Sequence, residues 1–76
     1  MHIIIDGYNL IRQSDVLRLH ERQSLEAGRK ALVHLLAGYR RARGHRITVV
    51  FDGWLGGPPQ EERDREAGID IIYSRR

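Results

Sequence analysis

The chain of 76 residues has no cysteine, which excludes a disulfide framework and a thiolate metal site and disfavours zinc as a resident ion. No apolar run approaches the roughly 20 residues of a membrane-spanning helix. Met1 leads straight into the apolar run His2-Ile3-Ile4-Ile5, not into a basic segment followed by an apolar one, so a soluble cytoplasmic protein with no membrane partner is expected. The four histidines, His2, His20, His34 and His45, show no metal-ligand spacing. Lysine is almost absent too: Lys30 is the single one among 13 basic residues.

What is present in quantity is arginine, the better fork for phosphate. The formal charge is only +3, but Arg40-Arg41-Ala42-Arg43-Gly44-His45-Arg46 and Arg75-Arg76 concentrate positive charge, as a nucleic-acid partner requires. A helix C-terminus also favours cations through its dipole, so the first cluster has a purely structural explanation as well. At this length one domain is the maximum, 1–76, and burial of roughly 60–65% of the chain surface leaves stability marginal.

The apolar β-branched run at residues 2–5 suits a strand buried on both faces. Asp6 to about Ser14 is expected to be a loop. Leu25, Leu32, Leu35, Leu36 and Tyr39 recur at helical spacing and predict one long helix over about 22–43. Ser24 is a possible cap at its start, Gly44 a C′ stop, and Gly28 a point of close approach to the sheet. Residues 46–51 and 68–73 read as second and third strands, and the β-α-β order predicts a right-handed crossover with the first two strands parallel. Trp54 to Pro59 is turn-rich, and the charged stretch 60–66 fits a helical turn or an irregular segment.

Two apolar runs end in Asp-Gly: Ile5-Asp6-Gly7-Tyr8-Asn9, and Phe51-Asp52-Gly53. Each pair alone marks a turn. At the ends of two neighbouring parallel strands, about 4.8 Å apart, both carboxylates would project from the sheet edge where α/β proteins bind ligands. Bare charges there repel, so a proton, a cation or solvent must neutralise them, with Mg2+ or Mn2+ the leading candidate. Asn9 would hold a metal-bound water or a phosphate oxygen, or close an Asx turn. Tyr8 and Trp54 flank the two aspartates and would stack on bases, or else serve as packing residues.

The segments Asp6-Gly7-Tyr8-Asn9-Leu10-Ile11, Val49-Val50-Phe51-Asp52-Gly53 and Gly68-Ile69-Asp70-Ile71-Ile72-Tyr73-Ser74, taken in order, resemble the YacP-like NYN domains, a branch of the PIN-like nucleases. The resemblance implies a three-layer α/β/α fold around a parallel sheet, here cut to about three strands, and metal-dependent cleavage of RNA. It carries Asp6 and Asp52 over as metal-site acids and Asn9 as their neighbour. Arg12, Arg40, Arg41, Arg43, Arg46, Arg75 and Arg76, with Tyr8 and Trp54, are the expected RNA contacts. In such domains further acids follow the third strand; Arg76 falls where that segment would begin, so an incomplete acidic set and weak Mg2+ or Mn2+ binding are expected. An open sheet edge at this length also predicts a homo-oligomer. The alternative is a non-catalytic RNA-binding or dimerisation module of the same fold. A haloacid-type phosphotransferase would want a second aspartate two positions after Asp6, where Tyr8 stands.

Overall fold

In the computed structural model, residues 1–52 and 62–74 are described. The chain runs β1 (His2–Asp6), α1 (Gly7–Gln13), α2 (Asp15–Gln23), α3 (Leu25–Arg43), β2 (Arg46–Asp52), β3 (Glu62–Glu66) and β4 (Ile69–Ser74). The strands form one sheet in the order β1-β2-β4-β3. β1, β2 and β4 are parallel and β3 is antiparallel to β4. The mostly parallel α/β sheet is therefore as expected from the sequence, with one strand more.

Strand alternation divides the sheet into two unlike faces. Ile47, Val49, Phe51, Ile69 and Ile71 are buried on one face beneath Ile11, Leu17, Leu32, Val33, Leu36 and Ala37 of the helices. His2, Ile4, Asp6, Arg46, Val50, Asp52, Asp70, Ile72 and Ser74 belong to the other face by register. Ile4 there is 68% exposed. Among the described residues the fold thus has two layers of the three that the resemblance implies.

Three side-chain caps punctuate the helical region where a loop and one helix were expected. Asp6, Ser14 and Ser24 accept hydrogen bonds from the backbone N–H of Asn9, Leu17 and Ala27 at 3.2, 3.2 and 2.9 Å. Each satisfies a donor that the first helical turn leaves orphaned. Residues 7–13 are consequently helical despite the poor helix formers Gly7 and Asn9, and the long helix predicted from residue 22 begins at Leu25, preceded by a separate α2. Gly44, with φ of 74°, ends α3 in the left-handed conformation. Of the apolar positions assigned to α3's buried stripe, Leu25, Leu35 and Tyr39 are 56%, 58% and 45% exposed, while Val33 and Ala37 take the interior.

The charged stretch before β4 is a strand, not a helical turn. Ala67 and Gly68 both have positive φ, 52° and 81°, as the two-residue hairpin turn matching strand twist demands. Glu and Asp have low strand propensity, but an edge strand faces water and charged side chains there block further pairing. Arg46 and Arg65 both pair with Asp70, at 3.0 and 3.6 Å, tying β2, β4 and β3 together; Arg65 stands level with Asp70, and Arg46 reaches it from two residues before the level Thr48.

Two glycines serve close packing. A Cβ on Gly28 would lie 3.0 Å from Cβ and 3.1 Å from Cα of Glu21; the close approach is to α2, not to the sheet. A Cβ on Gly7 would meet the Phe51 ring, with Cδ1 at 2.7 Å, and Val49 Cγ1 at 2.9 Å. Gly7 thus lets α1 start directly on top of β2 instead of providing a sharp turn. We expect Gly7→Ala to lower stability by about 1–3 kcal/mol through overpacking, although Ala is otherwise the better helix former; an unchanged melting temperature would contradict this contact.

The Asp70 carboxyl sits below its ordinary value of 3.8: the hydrogen bond from Arg46 outweighs the opposing effect of burial, and the charges of Arg46, Arg65 and His2 lower it further. A lowered folded-state value means that the stabilisation is fully present above 3.8 and is lost as pH falls through the lower folded value. Asp70→Asn should therefore reduce the melting temperature at pH 7 and converge on the wild type in acid below the ordinary carboxylate range. Parallel melting curves across all pH values would show that the ion pairs contribute nothing.

Candidate functional site

Asp6 closes β1 and Asp52 closes β2, both exposed and both on the sheet face away from the helices. They are not directly opposite one another. Asp6 is level with Val50, and Asp52 with Ser74 of β4, so the aspartates stand on a diagonal of one strand spacing and two residues, about 8 Å between backbone positions. Both line one open groove of about 370 Å3, together with Ile4, Ile5, Val50 and Ser74.

One Asp6 oxygen accepts the Asn9 N–H at 3.2 Å. The cap fixes the carboxylate at the groove and places Asn9, exposed, in the first turn of α1. Ser74 brings a hydroxyl to the same groove; the sequence offers no chemical signal for it beyond its position at the end of an apolar run. Among the described residues no group of three or more His, Cys, Asp or Glu side chains is placed to hold a metal ion. The donor set is therefore two carboxylates with a hydroxyl nearby. Such hard oxygens suit Mg2+ or Mn2+, which bind through one or two carboxylates while keeping several waters. An ion about 2.1 Å from an oxygen on each side separates those oxygens by at most about 4 Å. Two aspartate side chains converging from about 8 Å can make that gap, directly or through one water.

Under this edge, on the helix side, lies a row of aromatic rings. Tyr8 packs on Phe51 with centroids 5.1 Å apart, and Phe51 stacks on Tyr73 at 5.7 Å. Arg29 of α3 donates to the Tyr8 hydroxyl at 3.3 Å, and its guanidinium lies 6.0 Å from the Phe51 centroid and 5.9 Å from that of Tyr73. Burial pushes the Tyr73 hydroxyl above its ordinary value of 10.0, and the Arg29 charge opposes that shift. Tyr8 is thus a packing residue beneath the edge in this structure. Trp54, Arg75 and Arg76 lie outside the described residues.

The arginine cluster lies at the opposite edge. Arg46 begins β2 and Asp52 ends it, so the cluster and the carboxylates are separated by about 20 Å at about 3.3 Å per residue. Within it, Arg46 pairs with Asp70, Arg43 lies over the Tyr39 ring at 6.0 Å, and Arg40 packs against the hairpin turn, its Nη1 3.1 Å from where a Gly68 Cβ would be. Arg41 is exposed, as is Arg12 in the last turn of α1. A second cleft of about 390 Å3 between α3 and the hairpin is lined by Glu26, Asp64 and Glu66 as well as Arg29, Lys30 and Arg65. Its balanced charge selects neither an anion nor a cation.

No helix among the described residues is long and apolar enough to cross a membrane. No solved structure matches the chain. The chain is 29% identical over 73 residues to the uncharacterised protein YacP of Bacillus subtilis (strain 168); the match covers 96% of this chain and 42% of that protein. Residues 3–76 match the YacP-like NYN domain, and the chain belongs to that family.

Proposed function

We propose that the chain carries the metal edge of a nuclease-type domain acting on RNA. The observation that supports this reading most directly is the placement of Asp6 and Asp52 in one groove at the carboxyl ends of adjacent parallel strands. Two bare carboxylates brought close enough to share a ligand repel, and a divalent cation between them reverses that repulsion. A bound Mg2+ or Mn2+ would supply Lewis-acid stabilisation of the phosphodiester and a more acidic water. Asp6 and Asp52 would hold the ion, the α1 cap would keep Asp6 from rotating away, and Asn9 and Ser74 would offer neutral donors to a phosphate oxygen or a bound water.

The arginines act elsewhere. A strand of RNA reaching from the carboxylates to the arginine cluster, which begins level with the start of β2, must span at least about 20 Å, about six nucleotides or more at the stacked rise of about 3.4 Å per strand. Arg12, Arg40 and Arg46 are assigned to the same backbone-tracking role, with Arg40 and Arg46 also holding the fold. A non-catalytic RNA-binding reading rests on one observation, the lack of a third acidic side chain at the groove among the described residues.

The test is Mn2+ titration of the 76-residue chain alongside single-stranded RNA binding at several salt concentrations. Mn2+ affinity should fall at least about tenfold in Asp6→Asn and in Asp52→Asn, with metal-free RNA binding unchanged. Arg41→Ala should make the salt dependence shallower by about 0.7 in log–log slope for oligonucleotides longer than about six nucleotides, and leave shorter ones unaffected. Mn2+ binding indifferent to both aspartates would overturn the metal edge. Mn2+-dependent RNA cleavage, or its absence with binding intact, decides between nuclease and binding module.

A further inference from the structure

We infer that Arg29 is a positioning residue for the carboxyl-edge groove, an inference that rests on the metal-edge reading. Strand alternation makes the connection. Phe51 immediately precedes Asp52 on β2, Tyr73 immediately precedes Ser74 on β4, and Tyr8 stands between Asp6 and Asn9 at the start of α1. Asp52 and Ser74 are therefore each backed, on the opposite side of the sheet, by a ring of the row, and Tyr8, two residues after Asp6, continues the row.

Arg29 engages all three rings at once. It donates to the Tyr8 hydroxyl at 3.3 Å and lies over the rings of Phe51 and Tyr73 at 6.0 and 5.9 Å. A planar guanidinium combines a directed N–H with stacking on aromatic faces; a lysine ammonium keeps the charge but not the plane. The contact joins α1, β2 and β4 at the ends that carry Asp6, Asp52 and Ser74. Rings fixed in this way hold the adjacent backbone, and with it the separation of the two carboxylates. Arg29 is not among the residues that line the groove, and its effect there runs through the row.

Arg29→Lys and Arg29→Met, compared with wild type, Asp52→Asn and the buried-core control Ile47→Val, test this assignment by two readouts on the 76-residue chain. Without metal, amide hydrogen exchange in Arg29→Lys should rise at Asp6, Asp52 and Ser74 and stay unchanged at His2, Arg46 and Asp70; Ile47→Val should show no such concentration at the carboxyl edge. With Mn2+ as the probe, affinity should fall in both Arg29 variants by up to about tenfold, the lower end of what loss of a group bonded directly to a metal ligand costs. Where Arg29→Met is unfolded, Arg29→Lys decides. Wild-type exchange at the three strand-end amides in a folded Arg29→Lys protein would overturn the inference. Wild-type Mn2+ affinity in Asp52→Asn would overturn the metal reading instead, and the exchange pattern would then decide the role of Arg29 by itself.

Discussion

The parallel pairing of β1 with β2 is the constraint from which the geometry of the site follows. With Ile5 level with Val49 and Asp6 level with Val50, alternation sends Val49 and Phe51 into the core and leaves Asp6 and Asp52 on the open face. A slip of one residue would exchange these sets, burying a carboxylate and exposing Phe51. The hydrophobic cost of that exchange, on the order of 2 kcal/mol or more for each large side chain, holds the register and therefore the carboxylate diagonal. Gly7 lets α1 settle onto β2 beside Phe51 and Val49, so the cap on Asp6 and the floor of Phe51 under Asp52 belong to one packed unit.

A second consequence is the division of charge between the two sheet edges. The acids stand where β1 and β2 end, and the arginine cluster where α3 ends and β2 begins. A cation there complements the negative end of the α3 dipole, and several of these arginines are engaged in holding the hairpin and β4. Only part of the cluster is left for a polyanion, and its reach to the carboxylates is set by the length of β2. On the proposed reading, affinity and chemistry would be separable by mutation.

Much of this was legible in the sequence. The β-branched runs announced β1 and β2, and Asp-Gly at the end of each announced the edge, because apolar runs and turn pairs need no tertiary information to interpret. What escaped was local structure imposed by context. Residues 7–13 open on the weak helix formers Gly7 and Asn9 and are helical because Asp6 caps them and the core receives Ile11. The stretch 62–66 is wholly polar and is a strand because the Ala67-Gly68 turn folds it back onto β4. Periodicity assigned Leu35 and Tyr39 to the interior, but the narrow sheet gives α3 a buried stripe limited to Gly28, Leu32, Val33, Leu36 and Ala37. At the site, Asp6 and Asp52 were visible as a pair, whereas Arg29 and Ser74 were not: an arginine in the second turn of a helix and a serine at a strand end carry no signal until the fold brings them under and beside the strand-end edge.

In the proposed site, Asp6 and Asp52 share one divalent ion. Crystals of the 76-residue chain soaked in Mn2+ and measured for anomalous scattering address it without reference to RNA or turnover. The expected result is a peak in the groove contacted by carboxylate oxygens of both Asp6 and Asp52, each directly or through one water. A groove without a peak, or an ion held by one aspartate while the other plays no part in its coordination, would contradict the shared site.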